Sequence, residues 1–355
     1  MMGRNWRLAI IAVVAMLVGF VFLRGPTPHI TIKPETLYSF GSVNITNTII
    51  TSWIVVILMI VGVFLMTRRW ELVPRGAQNV LEAILEAFYN VVTGIAGEKN
   101  GRRFFPAVAT IFFFILFANW FSLTPVFNVI GLGQQAEEGY VMKEVDVGPI
   151  PVTYTTLSGP GHWGGKSIKA DEPQAAQKVE EETAKGNFVG ELKPFLRSVN
   201  TDLNTPLALA IMSAIFVEFW GISTLGFGTY GGKFFNFGGI ARGIRHLSFG
   251  DIGRGVIDAF VGFLELISET VRLVSFTFRL FGNMFAGEVV ILMFTFLFPL
   301  LFPLVFYGLE LFVGIIQAFI FATLTLVFGM MAVSHGEPHA EEAEATDHAP
   351  EAAHA

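Results

Sequence analysis

The stretch VIDAFVGFLELISETVRLVSFTFRLFGNMFAGEVVILMFTFLF (256–298) decides the architecture. It is apolar over 43 residues. At helical rise that makes about 64 Å, roughly twice the ~30 Å hydrocarbon thickness of a bilayer. A second run, PLVFYGLELFVGIIQAFIFATLTLVFGMMAV (303–333), adds 31 residues, or about 46 Å of helix. Pro299 and Pro303 punctuate the join, where a helix interior is disfavoured. The reading is a hairpin of two overlong helices that tilt steeply, kink or run partly along the membrane.

The rest of the chain agrees with a membrane setting. Of 355 residues, 53% are hydrophobic and 15% charged, with mean hydropathy +0.59. Soluble domains carry about 25% charged residues, so a soluble enzyme is excluded. Cysteine is absent, which removes disulfides, thiolate metal sites and thiol nucleophiles. Net charge is -6 with no basic patch, so no nucleic-acid partner is expected. Further spans read as 8–23, 49–66, 104–125 and 206–227, the last interrupted by Glu218. The fold class is therefore an all-α multi-pass membrane protein, lying in a lipid bilayer.

Charge bias orients these spans. Six Lys/Arg lie in 67–103 and four in 228–255, which makes both loops cytoplasmic. The expected divisions are 1–24, a signal anchor or cleaved signal; 25–133, the first membrane helices with a cytoplasmic connecting helix; and 134–200, a polar extracytoplasmic insertion. Residues 201–333 form the core with the two long helices, and 334–355 an acidic, His-containing tail. The insertion, with its run KVEEETAKG, reads as partly disordered or lightly folded. The tail reads as disordered, with weak divalent-metal binding as the alternative. Neither a cofactor nor a metal centre is expected. No internal repeat supports an inverted-repeat transporter.

Ionisable residues inside apolar helices cost about 2.5–3.5 kcal/mol each at a helix centre, so function is sought there. Glu265, Glu269 and Arg272 are spaced for intrahelical pairing. Arg279 has no acid three or four residues away. Asn283 follows one turn later on its face, and Glu288, nine residues on, points about 180° away. Glu310 and Gln317 share a stripe of the partner helix. Arginine holds its proton at any working pH and acts as a fixed barrier charge. Glutamate in a partly wet, low-dielectric site is a usable proton carrier.

These residues carry a resemblance. SETVRLVSFTFRLFGNMFAGE (268–288) and IIQAFIFATLTLVF (315–328) resemble the subunit a family of F-type rotary ATP synthases. SVNITNTIITSWIVV (42–56), FFPAVATIFFFILFANWFSLTP (104–125) and VNTDLNTPLALA (199–210) are similar to it as well. The resemblance implies a non-catalytic stator whose long tilted hairpin faces a ring of small hairpin rotor subunits (subunit c). Two offset half-channels would load and unload protons on a ring carboxylate, coupling ion flow to ATP synthesis. It further implies contacts with peripheral-stalk subunit b and the rest of the synthase, in a bacterial inner (plasma) membrane.

Residue by residue, Arg279 matches the family's essential arginine, and Asn283 the polar residue one turn on. Glu288 and Glu310 match the outer relay pair, and Gln317 a glutamine near the arginine. Asn119 matches a polar residue near the outer channel wall. Glu218 either lines a half-channel or pairs with a polar neighbour. Two other readings compete: a self-contained ion channel or secondary transporter, and a non-conducting scaffold in which buried charges fix helix packing.

Overall fold

The computed structural model describes residues 11, 13–14, 30–41, 43–68, 71, 76–124, 127, 130–147, 150–155, 157–159, 162–165, 167–168, 174–234, 245, 249–298 and 302–334. Most of the first expected segment, 8–23, and nearly all of the 334–355 tail lie outside the described residues. Among the described residues, five helices are long and apolar enough to cross a membrane.

In chain order the elements are β1 (Thr36–Phe40), β2 (Val43–Thr46), α1 (Asn47–Thr67) and α2 (Ala77–Ser122). The insertion follows with β3 (Gly131–Val147), β4 (Ile150–Thr155), β5 (Leu157–Gly159), β6 (His162–Gly165), β7 (Ser167–Ile168), α3 (Ala175–Ala184) and β8 (Phe188–Pro194). A 3-10 turn (Val199–Thr201) leads to α4 (Asn204–Leu225), α5 (Phe227–Phe234), α6 (Phe249–Leu297) and α7 (Phe302–Ser334). Packing divides the chain into two units. One comprises Met1–Glu71, Phe113–Pro206 and Phe278–Phe319; the other comprises Leu72–Phe112, Leu207–Thr277 and Ile320–Ala355.

In the first unit, α1 starts where the Thr46 hydroxyl accepts from the Ile49 amide at 3.4 Å, a standard N-cap. Its buried face is Asn47, Thr48, Thr51 and Val55, at helical spacing. Its exposed face carries Trp53, Ile57, Ile60 and Phe64. Polar residues inside and apolar ones outside invert the soluble pattern, as lipid requires. Val55 packs with Ala118 of α2 and Val199, flanked by Met59, Phe114 and Phe121. The ring of Phe294 on α6 stacks at 4.2 Å on Phe306 of α7 and tilts at 5.1 Å against Phe302. This aromatic cluster closes the hairpin that the two prolines announced.

The described residues of the insertion form a small antiparallel sheet with one helix. β3 pairs antiparallel with β4, β7 and β8. Val141, Ile168 and Val189 make a small core that Ala175 and Val179 of α3 cover. The KVEEETAKG run supplies much of α3, where Lys185 pairs with Glu181 at 2.7 Å and Glu182 at 3.2 Å. Gly131 packs directly on the Lys193 carbonyl, leaving no room for a side chain. At the neck, the Phe195 amide donates to the Ile130 carbonyl at 2.9 Å.

In the second unit, α2 is not straight. Gly97 sits at φ 71, ψ 163 inside it, a conformation that favours glycine. Phe88 and Phe112 stack at 4.4 Å, whereas 24 residues of straight helix would separate them by about 36 Å. The helix therefore doubles back at Gly97, and the expected span 104–125 is its second limb. Phe104 stacks on Trp220 of α4 at 4.1 Å, and Phe276 of α6 meets Phe321 of α7 at 4.9 Å.

Gly329 of α7 lies flat against buried Trp220, so an added Cβ would fall 2.6 Å from the indole. Gly329→Ala is expected to cost about 1–3 kcal/mol through overpacking. It should lower the heat-aggregation midpoint of the detergent-purified complex. An unchanged midpoint would show that the ring can move aside.

Candidate functional site

Six of the seven expected site residues fall in the first unit: Asn119, Arg279, Asn283, Glu288, Glu310 and Gln317. α6 and α7 place most of them. Residues on α7 meet residues equally far back from the turn on α6, as an antiparallel pair requires. The Asn283 amide Nδ2 donates to Gln317 Oε1 at 2.6 Å. The Glu310 carboxylate lies over Gly287, where any side chain would occupy its place. Glu288 is next in sequence to that glycine. Glu288 and Glu310 are each half-buried.

Glu310, Gly314 and Gln317 lie at i, i+4 and i+7 on one face of α7. Asn119 of α2 packs against this face: its Nδ2 donates to the Gly314 carbonyl at 3.4 Å, and neighbouring Trp120 donates to the Leu311 carbonyl at 3.2 Å. Asn200 Nδ2 in turn donates to Asn119 Oδ1 at 2.6 Å. Gln317 and Asn200 are almost fully buried, yet Gln317 Nε2 and Asn200 Oδ1 have no hydrogen-bond partner among the described residues. Buried polar atoms of this kind are ordinarily satisfied, commonly by ordered water. The constellation thus offers carboxylates with amide groups able to hold water, which is what a proton path needs. Asn200, Gly287 and Gly314 had no separate sequence signal; only contacts between distant segments reveal them.

A second buried polar group steadies this end of the unit. Thr48 Oγ1 donates to Asp202 Oδ2 at 2.9 Å, and Asp202 Oδ1 accepts from the Asn204 amide at 3.1 Å at the start of α4. The Arg197 guanidinium donates to the Lys33 carbonyl at 3.0 Å and to Thr31.

Arg279 stands apart. It is exposed on α6 and, among the described residues, makes no hydrogen bond or ion pair. Phe278 and Val274 beside it are exposed too. Glu218 falls in the second unit. The expected Glu269–Arg272 pairing does not form. Lys233 of α5 binds Glu269 at 3.3 Å and Glu265 at 2.9 Å, while Arg272 stacks 3.8 Å over the Phe328 ring, a cation–π contact. A cation from a neighbouring helix outcompetes the local partner because it bridges both acids at once.

The model of the family described as "ATP synthase A chain" matches residues 49–329. The chain belongs to that family. It is similar to the ATP synthase subunit a of Moorella thermoacetica, at 29% identity over 84% of this chain and 95% of that protein. The Gloeobacter violaceus subunit a is 27% identical over 82% of this chain and 86% of its own length. The Helicobacter pylori subunit a is 26% identical over 86% and 97%. With five membrane-capable helices among the described residues, this member of the ATP synthase A chain family is a multi-pass membrane protein. It is the proton-translocating subunit of the synthase membrane sector.

The close approach of Glu310 to Gly287 yields a test in the assembled synthase. Gly287→Ala should displace the carboxylate and reduce ATP-driven acidification of inverted vesicles about tenfold, since misplaced reacting groups are costly. Gly308→Ala, with open space around it, should pump normally.

Proposed function

We propose that this chain is the non-catalytic stator against which a ring of subunit c turns, in a bacterial inner (plasma) membrane, with subunit b holding it to the rest of the synthase. Glu288 and Glu310 form the relay of the outer half-channel, with Asn119 and Gln317 beside it. Glu218 belongs to the path as well. Arg279 is the barrier between the two half-channels, and Asn283 braces the same face through Gln317. A proton entering from outside passes along the carboxylates to a ring carboxylate, rides round with the ring, and leaves on the cytoplasmic side.

The observation that carries this reading is the exposed, unpartnered Arg279 among exposed apolar residues. A guanidinium left against lipid at mid-membrane costs about 2.5–3.5 kcal/mol or more. A partner bearing a carboxylate at the same depth removes that cost. Because arginine keeps its proton, it halts a water wire yet attracts each arriving carboxylate. A charge crossing the full potential gains about 2.3 kcal/mol per 100 mV. A continuous wire would dissipate that energy without turning the ring. The self-contained channel or transporter is not favoured: it would place an acid beside Arg279 within this chain, and none stands there among the described residues.

Arg279→Ala in inverted vesicles carrying the assembled complex should abolish ATP-driven acidification and raise the passive proton leak. Normal pumping by the assembled variant would refute the barrier role. Glu288→Gln and Glu310→Gln should each slow passive conduction about tenfold or more, in line with the loss of a positioned proton carrier. Conduction at the wild-type rate would return the scaffold reading.

A further inference from the structure

The β1–β2 hairpin has no part in the function proposed above. Its sequence, TLYSFGSVNIT (36–46), holds no charged residue. Gly41, at φ 60, opens the turn that sets Phe40 opposite Val43, a backbone conformation that tight hairpin turns require. Cross-strand partners lie on one face of such a ribbon, and the faces alternate with a period of two. Tyr38 and its partner Ile45 therefore share a face with Phe40, while Ser39 and its partner Asn44 take the other. The irregularity between Thr36 and Tyr38 keeps the Thr36–Thr46 pair on that polar face too.

The result is an amphipathic ribbon whose apolar side lies open. Tyr38 is 62% exposed and Phe40 64%, with their rings 4.9 Å apart. A two-stranded hairpin is at best marginally stable in water unless its apolar face packs on something. Among the described residues, no third strand joins this one.

Its position says what covers that face. β2 ends at Thr46 and α1 begins at Asn47, with no linker between them. α1 is long and apolar enough to cross a membrane, and little of it is buried within the chain. Ile49 and Trp53, near its start, are exposed, so the lipid boundary of α1 ends where the hairpin begins. Other open apolar side chains lie on segments bonded to this end. Ile32 is exposed between Thr31 and Lys33, which the Arg197 guanidinium holds. Ile130 and Phe195 are exposed at the neck of the insertion, and the Asn47 amide Nδ2 ties that neck to α1 through the Pro194 carbonyl at 3.2 Å. An open strand edge cannot lie in hydrocarbon, where its N–H and C=O groups find no partner. The headgroup layer supplies such partners, and aromatic side chains gather there.

We propose that the β1–β2 hairpin is an interfacial anchor. Its Tyr38 and Phe40 face lies in the phospholipid headgroup layer at the Asn47 end of α1, with Ser39 and Asn44 turned to water. Hairpins that stay in water guard their open edges with charged side chains, and this one has none. The anchor fixes the depth of α1 and, through Asn47 and Pro194, keeps the neck of the insertion at the lipid surface. It holds whichever way protons are carried.

The test uses the assembled synthase in liposomes of phosphatidylcholine and phosphatidylglycerol. Tyr38→Cys, Ser39→Cys, Phe40→Cys and Asn44→Cys are made one at a time in this cysteine-free chain and spin-labelled, with the treated wild-type complex as the blank. Power saturation is read with oxygen, which concentrates in lipid, and with a water-soluble nickel chelate. The oxygen-to-nickel accessibility ratio should be high at positions 38 and 40 and low at 39 and 44. Water-like ratios at all four positions overturn the proposal. So does exclusion of both reagents from 38 and 40, the sign of a neighbouring subunit on that face. Should the variants fail to assemble, the wild-type complex is illuminated with a phospholipid bearing a diazirine at its glycerol end, and the adducts are mapped by mass spectrometry. Tyr38 and Phe40 should be labelled along with Trp53 of α1. Labelling of Trp53 without either ring overturns the proposal equally.

Discussion

In hydrocarbon, every backbone donor must bond within its own helix, and every charge must find a partner or a wet surface. That constraint governs the whole chain. It makes each membrane segment helical. It also turns α1 inside out, so that Asn47, Thr48 and Thr51 face protein while Trp53, Ile57 and Phe64 face outward. The same constraint sorts the charges. Lys233, Glu265 and Glu269 satisfy one another across two helices, and Arg272 uses an aromatic face. Arg279 has no such arrangement among the described residues, and under the proposed function a neighbouring subunit completes its environment.

Much of the membrane architecture was legible because hydropathy is a direct record of burial in lipid. The span 49–66 corresponds to α1 at Asn47–Thr67, and 206–227 to α4 at Asn204–Leu225. The overlong runs are α6 and α7. What could not be read was anything set by a single backbone angle or by contacts between distant segments. Gly97 reverses α2, yet Gly94 and Gly101 lie close by and nothing in their composition distinguishes it. The sheet of the insertion leaves little trace in the hydrophobic pattern because the core cluster seen among its described residues, Val141, Ile168 and Val189, is too small to make a sustained alternation.

The candidate site divides in the same way. The 3.6-residue period put Arg279 and Asn283 on one face of α6 and Glu310 and Gln317 on one stripe of α7. The Asn283–Gln317 bond joins the two helices. Periodicity says nothing about which residue another helix presents. Asn200, 81 positions from Asn119, therefore emerged only from the fold. Lys233 illustrates the opposite error. Local spacing favoured an Arg272 partner for Glu269, but a cation able to bridge two acids from outside gains more than one confined to the same helix surface.

The neck of the insertion has an evolutionary consequence. Gly131 pairs with Pro194, and the Ile130 carbonyl holds the Phe195 amide, so the segment leaves and re-enters the membrane part at one point. A stretch whose ends already touch can lengthen, shrink or be exchanged without moving what lies below it. Selection can therefore act on this module separately from the membrane helices. The inserted sheet is free to diversify while the membrane helices stay as they are.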